Sequence, residues 1–174
     1  FSPDDQQIVT VSDNDNSIRL WDVATGSCVN TLQGHENKVW LAGFSPDGEL
    51  LVSCSEDQTL KLWQADKGYC VGTLKTYSAA IMAVAFGPDG ETLVSGSEDG
   101  VVRLWDKETG QVVKALTGHR DIVSTVQVSP DGTQIASGSD DGTVRLWERA
   151  TGKCVRTFWG HEGWVHRVVF DPAG

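Results

Sequence analysis

The sequence lacks the marks of a membrane-inserted protein. Its 174 residues contain no run of about eighteen apolar residues, the length that crosses a bilayer as a helix. Residues 1–10 have neither the basic start nor the apolar middle of a signal peptide. We therefore expect no membrane span and no targeting segment in this stretch.

Basic residues are scarce, with 14 Lys and Arg against 24 Asp and Glu and a net charge of −10. Binding to nucleic acid requires clustered cations that displace counterions, and an anionic membrane makes a similar demand. The composition therefore argues against both as partners.

The four cysteines form no Cys-x-x-Cys pair, which disfavours a zinc site. Cys28, Cys70 and Cys154 occupy equivalent places of a repeating pattern, each followed by valine, and such places should lie too far apart for a disulfide. We expect buried, reduced thiols, no metal and no cofactor. Reduced thiols favour the cytoplasm as the compartment.

Tryptophan recurs every 42 residues, and this spacing is the strongest signal in the sequence. A Pro-Asp-Gly turn follows the same period at residues 46–48, 88–90 and 130–132. Gly-His pairs fall on the same period as well, and the repeat covers the whole chain. The tryptophans of the ladder are Trp21, Trp63, Trp105 and Trp147.

A similar period occurs in helical HEAT and armadillo arrays, so the content of the unit must decide between strands and helices. Segments such as 93–97 and 101–105 are short, contain β-branched or aromatic residues and are bounded by turn formers, and no segment has helical spacing over three turns. The pattern within each complete unit therefore predicts four β-strands. Sheets that are apolar on both faces must stack on copies of themselves, as propeller blades do. The predicted inner strands are 39–44, 81–86, 123–128 and 165–170, and predicted outer strands include 28–32 and 112–116.

The order Gly-His, Ser-Pro-Asp-Gly, Ser-Gly-Ser-x-Asp-Gly and Val-Arg-Leu-Trp resembles the WD-repeat family. Trp21-Asp22 and Trp105-Asp106 carry the dipeptide that names it, whereas Trp63-Gln64 and Trp147-Glu148 depart from it. The resemblance implies an all-β propeller of four-stranded antiparallel blades, with about four blades here as an open arc of a ring of about seven. Because the chain starts inside a unit and without Met, we expect a fragment of a longer protein. The units are 1–33 without an inner strand, 34–75, 76–117, 118–159, and 160–174 with an inner strand only.

In this family a His, a Ser or Thr, an Asp and the Trp of each unit form a hydrogen-bonded structural tetrad, and the resemblance assigns those roles here. The set has a physical reason, because a buried indole N–H needs an acceptor and a hydroxyl can link it to an imidazole and a carboxylate. The complete sets are His35, Ser53, Asp57 and Trp63, and His119, Ser137, Asp141 and Trp147. The partial sets are Ser95, Asp99 and Trp105; Asp15 and Trp21 with Thr10 or Ser12; and His161.

The third unit breaks the pattern, because Thr76-Tyr77 replaces Gly-His. Its Ser95, Asp99 and Trp105 need another partner, and the Tyr77 hydroxyl is the candidate. We predict that this seam is the weakest of the chain.

Serine, histidine and aspartate in one unit also suggest a hydrolase. A catalytic triad is needed once, however, whereas these residues recur at fixed offsets and no Gly-x-Ser-x-Gly elbow accompanies them. We therefore expect no enzyme and no catalytic residue.

Residues 13–17 begin like a calcium loop but lack its glycine and distal glutamate, which predicts a solvated turn. A basic ladder two residues before each Trp should be neutralised by acidic turns; it comprises Arg19, Lys61, Arg103 and Arg145.

Positions that differ between units at one structural place are the candidates for function, since shared positions report the scaffold. The resemblance implies partner binding at the face where inner strands begin and where the middle-strand turn precedes its Asp. There Trp and Met would anchor a partner, and acidic residues would favour a basic or Arg-containing peptide. Alternatively, Trp40 and Trp164 pack on neighbouring blades. The candidate residues are Lys38, Trp40, Glu56, Met82, Glu98, Ile122, Ser124, Asp140, Trp164 and His166.

The sequence thus predicts a non-catalytic scaffold for protein–protein interaction. One alternative is a sensor or regulatory propeller of a larger signalling NTPase or kinase-type protein, although this stretch has no Gly-x-x-x-x-Gly-Lys phosphate loop. Another is an enzyme or a small-ligand propeller. Because an isolated arc would expose apolar faces, we expect it to form a homodimer that closes eight blades.

Overall fold

A computed structural model describes residues 1–12, 14–76 and 79–171. These residues form fifteen β-strands, and no helix among them is long and apolar enough for a membrane span. The strands are β1 (Gln7–Val11), β2 (Ile18–Asp22), β3 (Cys28–Leu32), β4 (Val39–Phe44), β5 (Leu50–Ser55), β6 (Thr59–Gln64), β7 (Cys70–Lys75), β8 (Ile81–Phe86), β9 (Thr92–Ser97), β10 (Val102–Asp106), β11 (Val112–Leu116), β12 (Val123–Val128), β13 (Gln134–Ser139), β14 (Val144–Glu148) and β15 (Cys154–Phe158).

Strands that are consecutive in the chain pair antiparallel in four separate sheets. The first sheet has three strands, β1-β2-β3, and the others have four, β4–β7, β8–β11 and β12–β15. The inner strands predicted at 39–44, 81–86 and 123–128 are confirmed with the same bounds, as are the outer strands 28–32 and 112–116. The all-β fold of antiparallel blade sheets is therefore confirmed.

The Pro-Asp-Gly turns close the first hairpin of each four-stranded sheet, and the turn around Asp47 shows how. Ser45 Oγ donates to Asp47 Oδ1, and the amide of Glu49 donates to the same oxygen at 2.9 Å. Gly48 has a φ of 78°, in the left-handed region that glycine adopts at little cost. The chain therefore reverses after β4 and returns as β5.

The chain divides into two compact units, Phe1–Ile81 and Met82–Gly174. In the first unit, the buried side chains of Leu20 and Trp63 belong to one apolar core shared by the sheets β1–β3 and β4–β7. In the second, Val94 and Trp147 belong to a core shared by β8–β11 and β12–β15. Removing such a side chain from water stabilises the fold by about 1.5–3 kcal/mol. Within each unit, stacking thus covers faces that a single sheet would leave exposed.

Residues 165–170 differ from the prediction, because they form no strand. No strand of the described ranges pairs with them; apart from the Val165 amide, which donates to the Ser139 carbonyl, their bonded backbone groups meet side chains of β12. Ser124 Oγ donates to the Val165 carbonyl at 2.7 Å, and Thr125 Oγ1 accepts the amide of Val168 at 3.3 Å. Val165 itself is buried. The segment therefore lies along β12 without a ladder of its own.

The cysteines correct a second expectation. All four are free, but only Cys54 is buried, while Cys28, Cys70 and Cys154 are exposed. Those three start the outer strands β3, β7 and β15, which lie at sheet edges where water reaches them. Burial raises the pKa of the Cys54 thiol, so only that cysteine is the inert, enclosed group that was expected of them all.

Candidate functional site

The sheet β4–β7 brings together a complete chain of hydrogen bonds. Trp63 Nε1 lies 2.9 Å from Ser53 Oγ, and Ser53 Oγ lies 2.7 Å from His35 Nε2. His35 Nδ1 lies 2.8 Å from Asp57 Oδ2. Because an indole nitrogen can only donate, the serine hydroxyl donates to Nε2 and Nδ1–H donates to the carboxylate. Every member is therefore satisfied.

The sheet β12–β15 repeats this arrangement. Trp147 Nε1 donates to Ser137 Oγ at 2.8 Å, and Ser137 Oγ is 2.8 Å from His119 Nε2. His119 Nδ1 is 3.0 Å from Asp141 Oδ2. In both sheets the histidine precedes the inner strand and the aspartate lies in the turn between the two middle strands. The network therefore ties a loop to the middle of its own sheet.

The carboxylates of these networks are strongly stabilised as anions. Burial by itself raises the pKa of Asp57, but hydrogen bonds from His35, Thr59 and the Glu36 amide outweigh it and hold the pKa well below its usual range. Donors likewise outweigh burial at Asp141 and lower its pKa. Burial lowers the pKa of His119, although the bond to Asp141 raises it. The His119 imidazole is therefore neutral at pH 7.

Two threonines complete the networks and were missed in the sequence. Thr59 Oγ1 donates to Asp57 Oδ1 at 2.5 Å and lies 3.2 Å from His35 Nδ1. Thr143 makes the same contacts with Asp141 and His119, at 2.6 and 3.2 Å. A hydroxyl two residues after the turn aspartate, which recurs as Ser17, was the signal that could have found them.

The order Ser–His–Asp is that of a hydrolytic triad, but the serine cannot serve as a nucleophile here. Ser53 and Ser137 are fully buried. Each hydroxyl oxygen already accepts an indole N–H, so no substrate carbonyl can approach it. These residues hold the sheets together.

Among the described residues, the sheet β8–β11 has no histidine in its network. Trp105 Nε1 donates to Ser95 Oγ at 2.8 Å, but Asp99 bonds to Arg103, with Nη1 and Nη2 at 3.0 and 2.5 Å from its two oxygens. Tyr77, the predicted replacement for histidine, lies outside the described residues. The residue two places after the aspartate is Val101, so the donor found at Thr59 and Thr143 is missing too.

In the first sheet, too, the turn aspartate binds an arginine. Trp21 Nε1 donates to Thr10 Oγ1 at 2.8 Å, which selects Thr10 over Ser12 as the acceptor. Asp15 accepts bonds from Ser17 Oγ and from Arg19, at 2.7 and 2.5 Å. Where no described histidine reaches the turn aspartate, arginine does.

The basic ladder is therefore neutralised in only half of its positions. Arg19 and Arg103 pair with turn aspartates, as predicted. Lys61 instead donates to Thr73 Oγ1 at 3.1 Å, and the Arg145 guanidinium lies 5.9 Å from the ring centre of Trp147. The prediction is wrong for these two because the tetrad histidines occupy the carboxylates.

His161 was also assigned to a tetrad by its Gly-His motif, but it is exposed and its ring makes no hydrogen bond to any residue in the described ranges. Residues 161–171 form no sheet, so no Ser–Trp pair lies beside it. The physical reason is that the described residues after His161 form no second strand, the element that carries the serine in the other sheets.

In the first unit, part of the candidate binding face is a loop and a turn joined by their backbones. The Glu56 amide donates to the Lys38 carbonyl at 3.0 Å, and Lys38 Nζ lies 4.0 Å from the ring centre of Trp40. Trp40 is half-buried, and its indole nitrogen is enclosed without a hydrogen bond among the described residues. It therefore behaves partly as a packing residue.

In the second unit, four candidate residues lie together at one end of β12–β15: Ile122, Asp140, Trp164 and His166. The Asp140 amide donates to the Ile122 carbonyl at 2.9 Å, and the Val165 amide donates to the Ser139 carbonyl at 3.1 Å, which sets Trp164 beside this turn. Trp164 is 66% exposed. Its ring stands edge-on to His166 with centroids 6.1 Å apart.

The remaining candidates differ in accessibility. Glu98 is exposed in the β9–β10 turn, and Met82 on β8 is half-buried. Ser124 is half-buried, and its hydroxyl is engaged by the Val165 carbonyl. Ser124 is thus tied into the scaffold, whereas Trp164 offers an open aromatic surface.

Comparison with known proteins finds one family along most of the chain. The profile of the family described as "WD domain, G-beta repeat" matches residues 1–22, 26–64, 68–106, 110–148 and 152–174.

Individual relatives match over shorter stretches. The nuclear distribution protein PAC1 of Mycosarcoma maydis is 45% identical over 47 residues, which is 27% of this chain and 10% of that protein. The WD repeat and SOCS box-containing protein 1 of Danio rerio is 37% identical over 54 residues, 30% of this chain and 13% of that protein. The F-box-like/WD repeat-containing protein TBL1X of Mus musculus is 40% identical over 48 residues, 28% of this chain and 9% of that protein. The matched stretch therefore spans about a tenth of the length of these relatives.

Proposed function

Since the chain belongs to the WD40-repeat family, we propose that it is a non-catalytic module that binds a partner protein or peptide at its turn face. We define the turn face of each unit as the residues at the sheet ends that carry the β5–β6 turn in the first unit and the β9–β10 and β13–β14 turns in the second. Members of this family serve in general as scaffolds for protein–protein interaction. The proposed site lies on the turn face of the second unit.

One observation carries the proposal, namely the exposed Trp164 ring beside the Asp140 turn. An exposed indole held in a fixed position is a preferred anchor in protein interfaces, because it contributes a large contact area and loses little side-chain entropy. Trp63, Trp105 and Trp147 of the repeating ladder are buried, so they are not available to a partner, and Trp21 is half-buried. Trp164 departs from this ladder, and its exposed ring beside the Asp140 turn is open to a partner.

The charge of the turn face supports a basic partner. On the turn and loop segments of the second unit, the carboxylates of Glu98, Asp121 and Glu162 are exposed and Asp140 is half-buried. The whole chain carries a net charge of −10. A peptide rich in Arg or Lys would be attracted by this field, and its association rate should fall as salt screens it.

Selection of random dodecapeptides displayed on phage, followed by affinity measurement on the enriched peptides, tests the proposal. Replacing Trp164 by Ala should weaken binding at least tenfold, as expected for an anchor. Tyr69→Ala is the matched control, because Tyr69 is 52% exposed and lies in the β6–β7 turn, at the sheet end opposite the turn face. Equal losses in the two variants, or no enriched peptide with the unaltered chain, would contradict the proposal.

A place within a larger regulatory protein is the second candidate. The names of two relatives combine WD repeats with a SOCS box and with an F-box-like region. The match covers only about a tenth of those proteins. The chain would then supply the partner-binding part while other regions act on what it binds, and a partner captured by the peptide selection should associate with the full-length protein as well.

Self-association of the isolated chain is supported by two strand-like edges. β1 is an edge strand of its three-stranded sheet, and no described strand pairs with residues 165–170. In a homodimer, residues 165–170 of one copy would pair with β1 of the other, which satisfies both edges. Light scattering should then give twice the chain mass, and a monodisperse monomer at micromolar concentration would count against it.

A further inference from the structure

The second unit contains a cavity of about 580 Å³ at the sheet ends opposite the turn face. It is formed by the sheets β8–β11 and β12–β15 and the loop that follows β14. Leu104, Val113 and Ala150 supply apolar wall, and Lys114 and Arg149 supply cationic groups. Its size lies within the range of about 300–1,000 Å³ that holds small ligands.

Lys114 on β11 carries a charge that nothing in the described chain compensates. Its ammonium donates to the carbonyl oxygens of Arg149, at 2.9 Å, and of Ala150. Both acceptors are neutral, and no carboxylate in the described ranges lies within ion-pairing distance of Nζ. An ammonium has three N–H donors, so one remains for a ligand. A half-buried, unpaired cation favours an anion beside it.

Arg149 differs from Lys114, because its guanidinium already has a carboxylate partner and two further hydrogen-bond acceptors. Its guanidinium bonds to the Asp89 carboxylate, to the Thr92 hydroxyl and, at 3.2 Å, to the Gly132 carbonyl. The Glu148 carboxylate, which also lines the cavity, accepts the Thr151 hydroxyl. Arg149 therefore forms a fixed wall, and Lys114 remains as the group that can receive an anion.

The first unit shows that the contact of Lys114 does not require a charge. Two repeats earlier, Asn30 stands at the place of Lys114 and Asp66 at the place of Ala150. Asn30 Nδ2 donates to the Asp66 carbonyl at 3.5 Å, so a neutral amide makes the equivalent bond. Ala65 stands at the place of Arg149, and the cavity there is lined by Asp4, Asp47 and Asp66. The cationic character belongs to the second unit.

From the unpaired Lys114 ammonium and the apolar wall beside it, we infer that this cavity binds a carboxylate with an apolar body. The carboxylate accepts the third N–H of Lys114, and the apolar part covers Leu104 and Val113. Val113 is 57% exposed, so its burial by the ligand favours binding. Such a ligand is a free aliphatic acid or the aliphatic C-terminal residue of a peptide.

Hexanoate and a short peptide ending in leucine are the probes, with hexanamide and the amidated peptide as neutral controls. Titration followed by NMR should shift the amide signals of Thr133 and Ala150 saturably, and each neutral control should bind at least tenfold more weakly. If the peptide binds more tightly than hexanoate, the natural ligand is the C-terminus of a partner protein. If hexanoate binds more tightly, the natural ligand is a free aliphatic acid.

Two variants separate the site from the fold. Lys114→Met should weaken hexanoate binding at least tenfold, while Lys67→Met, which removes an exposed lysine that does not line the cavity, should leave it unchanged. Ala150→Trp fills the cavity from an exposed position and should abolish binding without altering the folded spectrum. The inference is overturned if no probe binds saturably, or if both cavity variants bind as the unaltered chain does. Trp164→Ala should not affect hexanoate, so this outcome is independent of the turn face.

Discussion

Arg103 Nη2 lies 2.5 Å from Asp99 Oδ2, whereas the equivalent aspartate Asp141 receives its bond from His119. The same carboxylate position is thus served by a buried imidazole in one sheet and by a partly exposed guanidinium in another. The imidazole also reaches the buried serine, and the guanidinium of Arg103 does not bond to Ser95. The two sheets should therefore respond differently to the loss of that serine.

Ser137→Ala should destabilise the chain about twice as much as Ser95→Ala. The first change leaves both the Trp147 N–H and the His119 Nε2 unsatisfied, while the second leaves only the Trp105 N–H. Each buried group left without a partner costs about 1–3 kcal/mol. Urea denaturation gives the comparison. In a His119→Gln background, Ser137→Ala should cost about as much as Ser95→Ala, and equal costs in the unaltered background would refute the argument.

Hydrogen exchange should single out the sheet β8–β11 as the least protected of the four-stranded sheets. Its network lacks the bond from a serine to a described histidine that ties the preceding loop to the middle strands in the other two. Amides of β10 around Trp105 should therefore exchange faster than the corresponding amides around Trp63 and Trp147. The idea fails if β10 is the best protected of the three strands.

Trp105→Ala should cost about 3–5 kcal/mol of unfolding free energy, the usual effect of removing a large buried aromatic side chain. Trp105 is 1% exposed and donates to Ser95. Trp159→Ala, at an exposed position, should change stability by about 0.5 kcal/mol or less. Thermal unfolding of the two variants checks this, and similar melting temperatures would show that Trp105 is not part of the scaffold.

Acid should destabilise the chain in two stages. The pKa of His119 is below 6.5 in the folded chain because burial disfavours its charged form, so the unfolded chain binds that proton more readily and stability falls as the pH drops through 6.5. Despite burial, donors hold the pKa values of Asp57 and Asp141 below 3.8, so unfolding takes up further protons below about pH 4.

Urea denaturation at pH 7.5, 5 and 3.5 resolves these stages. His119→Gln should lessen the loss between pH 7.5 and 5 and leave the later one in place, because Asp57 still titrates. A stability that is flat from pH 7.5 to 5 in the unaltered chain would show that His119 is not kept neutral by the fold.

The period of 42 residues was enough to predict the fold and most strand bounds. Strand and turn propensities act locally, so the bounds of β4, β8 and β12 could be located from short segments. The members of the tetrads recur at fixed offsets, which is why they could be assigned residue by residue. Thr59 and Thr143 were missed because a threonine near a strand start also has an ordinary β-propensity explanation.

Only the tertiary structure decided which groups are paired and which are open to solvent. Residues 165–170 read as a strand, yet a strand requires a partner edge that no local pattern can supply. Lys61, Arg103 and Arg145 occupy the same place in the repeat. Their hydrogen-bond partners differ because a histidine imidazole occupies the turn carboxylate beside Lys61 and Arg145, whereas Arg103 binds that carboxylate itself. The sequence by itself thus determined the repeating scaffold, because the strand pairings and most tetrad hydrogen bonds lie within one repeat and the apolar positions recur with it. The structure decided the exposure of Trp164 and the unpaired charge of Lys114, because both depend on what neighbouring segments leave uncovered.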